Sequence, residues 1–297
     1  MKVLIVGGHG AAGSYLAERV AACVPKHEII LSGREYDLRT VAISRLIESA
    51  RPDYVFHLAS MAKLPDSFKD PYAFTKNNVL GTLNLFEACQ RYIPKARILM
   101  VSSCEVYGNA KEMPIVEEAP MRPLSPYAVS KCAQEHLATM YHDVYGMHIV
   151  ISRLFNYINP RREDLFASAW AKQIALIEAG KQPPEITVGN LDSARTLLDV
   201  RDVVRGYWML LEHGEPGQVY NIGDTEEVKL RDVLKILLHM AKVKIHVRQD
   251  PALIRPIDIP TQIADSTRFV EVTGWQPNYT VPESLEWLLD TMRKKYV

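Results

Sequence analysis

The chain has 297 residues, of which 47% are hydrophobic and 24% charged. That composition excludes a disordered tail protein, a collagen-like repeat and a small disulfide scaffold, and the length supports one or two domains burying ~75% of the unfolded chain's surface. Lys plus Arg number 35 and Asp plus Glu number 35, a net charge of zero; with no bulk electrostatic footprint for nucleic acid or a membrane, an anionic ligand must be met by a few placed cations.

Lys2 to Val6 is a short β-branched run ending at Gly7, the pattern of a strand buried on both faces. Gly13 to Cys23 has helical spacing, and Glu28 to Leu31 reads as a second strand. Further strands are predicted at Tyr54 to Leu58, Ile98 to Ser102 and His148 to Ser152, and helices at Arg39 to Ser49, Pro71 to Arg91 and about Tyr127 to Tyr145. Strands alternating with helices imply an α/β fold with a doubly wound parallel sheet, the Rossmann architecture. After Asn156 the pattern changes. Loop signals appear at Asn159-Pro160-Arg161-Arg162 and Gln182-Pro183-Pro184, a helix is expected over Leu165 to Ala179, and five prolines punctuate the last 50 residues before a final helix at about Val281 to Lys294. Val219 to Gly223 still reads as a sheet strand. The expected division is a dinucleotide-binding domain of residues 1–155, joined by about 197–225, and a smaller interleaved C-terminal substrate domain of 156–196 and 226–297.

The four cysteines, at 23, 89, 104 and 132, form no CxxC pair and have no histidine cluster beside them. This argues against a metal site and fits reduced thiols in a cytoplasmic protein. The N-terminal apolar run, Val3 to Val6, is too short for a signal peptide or a membrane span.

Two motifs carry chemistry. The first is Gly7-Gly8-His9-Gly10-Ala11-Ala12-Gly13, which follows a strand and opens a helix. Glycines there let the backbone approach a pyrophosphate, and the helix N-terminus favours the anion. The second strand then ends Ser32-Gly33-Arg34, where an NAD-preferring site usually places an acid. An arginine suits a 2′-phosphate, so NADP is favoured, with NAD the alternative; Asp37 follows on the adenine side. The second motif is Tyr127-Ala-Val-Ser-Lys131. Residues i and i+4 share a helix face, and a lysine ammonium near a tyrosine lowers its pKa and readies it for acid–base work. Tyr72/Lys76 and Tyr107/Lys111 have the same spacing. Context selects the pair at 127, because Ser125-Pro126 opens a helix there and Ser103, beyond a strand's carboxyl end, is placed to share a substrate oxygen with Tyr127.

Together with His57-Leu58-Ala59, Asn78-Val-Leu-Gly81-Thr82, the segment at 102–108 and Pro126 to Lys131, these motifs resemble the extended short-chain dehydrogenase/reductase family over essentially the whole chain. The resemblance implies a catalytic triad of Ser103, Tyr127 and Lys131. It also implies a nicotinamide cofactor along Gly7, Gly10, Ala11, Ala12, Gly13, Arg34, Asp37, Leu38, Leu58 and Ala59. The second half is similar to enzymes acting on GDP-linked deoxyhexoses, GDP-mannose 4,6-dehydratase and, more closely, GDP-4-keto-6-deoxymannose reductase. The segments are Phe166 to Ala175, Val188 to Leu191, Leu198 to Val204, Ile254 to Asp258 and Thr273 to Pro277. This implies a GDP-sugar substrate, with Asn156, Lys172, Arg195 and Arg255 near the nucleotide diphosphate, Asp258 near the ribose, and Val188 among the substrate-binding residues. It further implies a homodimer through the helices at about 71–91 and 127–145. The chain departs from the related enzymes in having Ala62 where they have Ser and Thr196 where they have Asp.

Three readings follow. The first is NADP-dependent reduction of a 4-keto-6-deoxyhexose at C4. The second is 4,6-dehydration, with Glu105 as base and Cys104 as acid. The third is a non-catalytic NADP sensor, disfavoured because the triad is complete. Cys104 also reads as a buried apolar filler.

Overall fold

The computed structural model describes residues 1–23, 26–33, 35–253 and 259–296. Six strands build the central sheet: Lys2–Val6 (β1), Glu28–Ser32 (β2), Tyr54–His57 (β3), Arg97–Ser103 (β4), His148–Leu154 (β5) and Val219–Ile222 (β6). Their spatial order is β6-β5-β4-β3-β1-β2. Every pairing is parallel, with Val6 beside Ser32 and His57, and Ser103 beside Leu154. The order reverses between β1 and β3, so a crevice opens beyond their carboxyl ends.

Among the described residues, eight longer helices accompany the sheet: Ala11–Cys23 (α1), Ala42–Ala50 (α2), Gly81–Tyr92 (α3), Pro126–Tyr145 (α4), Phe166–Glu178 (α5), Val200–His213 (α6), Leu230–His239 (α7) and Val281–Tyr296 (α8). Side chains alternate across a strand, so β1 serves both layers. Leu4 and Val6 join Ile43, Ile47, Leu85, Phe86 and Tyr141 from α2, α3 and α4. Val3 and Ile5 join Leu16, Val20, Val203, Tyr207 and Leu210 from α1 and α6. A separate cluster unites Trp170 and Ile174 of α5 with Leu234 and Leu237 of α7 and Leu285 and Leu288 of α8.

The helix predicted over Pro71 to Arg91 is interrupted. Pro71–Phe74 is one helical turn, Thr75–Leu80 is π-helical, and α3 follows. The widened turn carries Asn78, fully buried, whose side chain bonds both the N–H and the C=O of Met61, at 2.8 and 3.0 Å, and Ser130 Oγ at 2.9 Å. It thus ties the loop after β3 to α4. The helix predicted from Arg39 begins instead at Ala42, because Asp37 closes a turn through the N–H groups of Arg39 and Thr40. Among the described residues, no helix is long and apolar enough to cross a membrane, and no three His, Cys, Asp or Glu side chains gather as metal donors.

Candidate active site

A cleft of about 680 Å³ lies at the carboxyl edge of the sheet, within the range of small-molecule sites. Its floor is the turn from β1 into α1. Gly7 has φ +86°, and a Cβ there would stand 2.8 Å from the Ala59 N atom. A Cβ on Gly13 would stand 2.2 Å from the Gly7 carbonyl oxygen. The glycines therefore close the turn as well as clear space above it, and Gly7, Gly10, Ala11, Ala12 and Gly13 all line the cleft. The first turn of α1 carries no acidic residue, so its positive end is not neutralised from within the helix. A backbone cradle of this kind fits a dinucleotide's pyrophosphate.

Ser103, Tyr127 and Lys131 line the same cleft. Ser103 ends β4. Tyr127 sits in the first turn of α4, which starts at Pro126 and is capped by Ser125, whose Oγ accepts from Ala128 N at 3.1 Å. Ser103 Oγ accepts from Glu105 N at 3.3 Å and draws the Tyr127 phenol's pKa down, and the Phe74 ring meets the tyrosine ring edge-on, with centroids 6.4 Å apart. Lys131 donates from Nζ to the Val101 carbonyl at 2.8 Å.

The electrostatics correct one expectation. Lys131 does not stand as a free ammonium that draws the tyrosine's pKa down. Burial lowers Lys131 itself from 10.5 to about 7, opposed by the Glu135 carboxylate one turn along α4. Burial also pushes the Tyr127 phenol well up, while the Ser103 hydrogen bond and then the Arg162 charge pull it back. Both members of the pair are desolvated, and that outweighs their proximity.

A buried network sets the position of α4 against the sheet. Arg153 of β5 grips Glu135 through Nη2 at 2.7 Å and Nε at 3.1 Å, and Ser102 donates to the same carboxylate. Arg153 Nη1 reaches the Tyr107 hydroxyl at 2.9 Å, and that hydroxyl donates to Asn221 of β6 at 2.7 Å. Under Lys131, His57 Nε2 lies 2.8 Å from Thr82 Oγ1, and burial lowers the imidazole to about 3, so it is neutral.

The structure brings together some of the residues singled out from sequence and not others. Leu58, Cys104, Glu105 and Asn156 line the cleft with the triad. Ala59 packs beneath Gly7. Cys104 is 4% exposed and packs with Val106, Tyr107 and Phe155, and burial drives its thiol pKa well up. Leu38 is a core residue and Asp37 is forked onto Arg39; neither lines the cleft. Lys172 pairs with Glu163 at 2.8 Å, Val188 is fully buried beside α5 and α7, and Arg195 donates to the carbonyls of Ala194 and Pro260. These three also stand outside the cleft lining. Arg34, Arg255 and Asp258 lie outside the described residues.

The lining also includes Lys63, Tyr157, Arg162, Asp164 and Tyr207, which the sequence reading did not single out. A signal for Arg162 was present: the pair Arg161-Arg162 follows Asn159-Pro160 in a chain with no net charge.

The family description "GDP-mannose 4,6 dehydratase" matches residues 34–287. The chain belongs to that family. It is 35% identical over 291 residues to the GDP-6-deoxy-D-mannose reductase of Pseudomonas aeruginosa, covering 97% of this chain and 96% of the relative. It is 28% identical to a GDP-mannose 4,6-dehydratase of Yersinia enterocolitica, covering 82% of this chain and 74% of the relative. A solved structure of RMD from P. aeruginosa complexed with NADPH superposes with a TM-score of 0.92, at 32% identity, over 99% of both chains. The chain is accordingly an enzyme of the nucleotide-sugar reductase and dehydratase group, and its sheet is the Rossmann-type sheet of that group.

Proposed function

We propose that the chain is an NADP-dependent reductase of a GDP-linked 4-keto-6-deoxyhexose. The observation that carries the reading is the convergence of Ser103, Tyr127 and Lys131 with the glycine turn in one cleft. The full-length likeness to a protein named GDP-6-deoxy-D-mannose reductase supports the choice of reaction. NADPH bound on the glycine turn would supply the hydride for C4. Tyr127 gives its proton to the oxygen left at C4, and Ser103 holds that oxygen through its hydroxyl. Lys131 holds its Nζ 6.0 Å from the centre of the tyrosine ring and faces the cofactor's ribose. Asn156 borders the sugar. The substrate half is read as residues 156–196 and 226–297. Two copies pair through α3 and α4, a reading supported by the exposed apolar side chains Val129, Met140, Val144 and Tyr145 on α4; light scattering should give twice the chain mass, and a monomer would contradict the pairing.

A second reading, 4,6-dehydration, has one observation in its favour: Glu105 lines the cleft beside Cys104. The raised thiol pKa counts little against it, since an acid must begin protonated. The apolar packing of Cys104 weighs more, because a thiol so held is poorly placed to release water. Mass spectrometry of the sugar product separates the two. Reduction adds one hydride and one proton to the keto sugar, whereas dehydration removes water from GDP-mannose.

A further inference from the structure

Arg153 is 4% exposed and Glu135 2%, so their ion pair lies inside the protein, and neither residue lines the cleft. Apolar side chains of similar volume often hold such elements together as stably, because taking two charges out of water offsets most of their attraction. What a guanidinium adds is direction, since its planar fork of donors fixes where each partner stands. Here the fork meets three elements. Nε and Nη2 hold the Glu135 carboxylate of α4 at 3.1 and 2.7 Å. Nη1 donates to the Tyr107 hydroxyl at 2.9 Å and to the Glu117 carbonyl at 2.8 Å, and the guanidinium carbon stands 4.8 Å from the centre of the Tyr107 ring. Arg153 is itself the penultimate residue of β5, and Leu154, Phe155 and Asn156, which follow it, line the cleft.

Both sides of the fork lead to the triad. Tyr107 closes the turn Cys104–Tyr107, which Ser103 opens by accepting from the Glu105 N–H at 3.3 Å. The Tyr107 hydroxyl is held from beyond as well: it donates to Asn221 Oδ1 at 2.7 Å, and Asn221 Nδ2 donates to the Ile115 carbonyl at 2.9 Å. On the other side, Glu135 lies one turn beyond Lys131 and two beyond Tyr127 on α4. Successive turns of that helix engage successive residues of β4. Lys131 Nζ donates to the Val101 carbonyl at 2.8 Å, and the Ser102 hydroxyl donates to Glu135.

We propose that Arg153 is a positioning residue for the reaction, its guanidinium holding the turn opened by Ser103 and the helix bearing Tyr127 and Lys131 in the relative placement that turnover requires. This rests on the reading of those three side chains as the reacting groups. Ser103 belongs to the sheet side of the cleft and the Tyr127–Lys131 pair to the helix side. Arg153 is in hydrogen-bond contact with a residue tied to each: Tyr107 for the first, Glu135 for the second. A slip of α4 along β4 would separate the hydroxyls that share the C4 oxygen while leaving the glycine turn and its cofactor cradle unchanged.

The experiment measures steady-state reduction of a GDP-4-keto-6-deoxyhexose by NADPH for the full chain and for Arg153→Lys, Tyr107→Phe, Tyr127→Phe and the double variant Arg153→Lys/Tyr127→Phe. Thermal melting checks that each variant folds. Lysine keeps a cation on Glu135 but has no fork with which to reach Tyr107 as well. Arg153→Lys should cut kcat by about tenfold to a hundredfold with both KM values nearly unchanged, the range expected for a misplacement of roughly an ångström. Tyr107→Phe keeps the ring and breaks only the link on the Ser103 side, so it should cut kcat in the same way by about fivefold. In the Tyr127→Phe background, Arg153→Lys should add little further loss, because a positioning residue acts only through the groups it positions. A folded Arg153→Lys with native kcat overturns the proposal. So does a raised KM with unchanged kcat, which would make the fork a shaper of binding, and so does an equal loss in the native and Tyr127→Phe backgrounds, which would be general structural damage. Should Arg153→Lys fail to fold, Tyr107→Phe decides alone by the same criteria. If Tyr127→Phe itself stays active, the reading of the triad fails first and this proposal fails with it.

Discussion

Tyr127→Phe should lower turnover by about two to four orders of magnitude, the usual worth of a positioned acid or base. The substitution removes one oxygen and keeps the ring. That ring is 9% exposed and packs edge-on against Phe74. No apolar contact is lost, so the melting temperature should stay close to that of the native chain. NADPH affinity, followed by fluorescence titration, should change little, because the glycine turn and the first turn of α1 are untouched. Near-normal turnover in this variant would remove Tyr127 from the chemistry.

Lys131→Met should separate activity from stability. Turnover should fall by about a hundredfold or more, since the amine beside the tyrosine and facing the cofactor's ribose is lost. The fold should not weaken. Lys131 is buried, and its folded pKa of about 7 lies below the ordinary 10.5. Between those values the unfolded chain binds a proton that the folded chain does not, so this group's contribution to stability rises with pH across that window. Below it the ammonium is buried at full cost. Methionine carries no such cost and nearly conserves volume. The variant's gain in melting temperature should therefore be largest at and below neutral pH and vanish in the strongly alkaline range. A variant that melts far below the native chain at neutral pH would mean that the bond from Nζ to Val101 outweighs the burial penalty.

Much of the sheet was legible because its strands are buried on both faces and read as short apolar runs. Lys2–Val6 has the predicted bounds, and Val219–Ile222, far away in sequence, takes its place beside β5. The helix at 200–213 was not singled out. In sequence its residues stand out only as part of a motif, although Asp199 caps it by accepting from Arg201 N at 2.8 Å. The break at Thr75–Leu80 was illegible because it answers to Asn78, whose partners Met61 and Ser130 are 17 and 52 residues away. The triad was legible for the opposite reason. Local chemistry, a strand end, a capped helix start and an i,i+4 pair, puts all three side chains at the same edge. Arg162 was harder: the carboxylate that forks it lies two residues on, but the cleft it lines is assembled from distant elements that only the fold brings together.

The central claim is that this cleft reduces a keto sugar and releases the product without eliminating water. The most direct measurement is NADPH consumed per sugar converted, with a GDP-4-keto-6-deoxyhexose in one reaction and GDP-mannose alone in the other. The account predicts one NADPH oxidised for each keto sugar reduced, little conversion of GDP-mannose, and most of the turnover kept in Cys104→Ala. Loss of water from GDP-mannose with no net NADPH consumed, abolished by Cys104→Ala or Glu105→Gln, would contradict it.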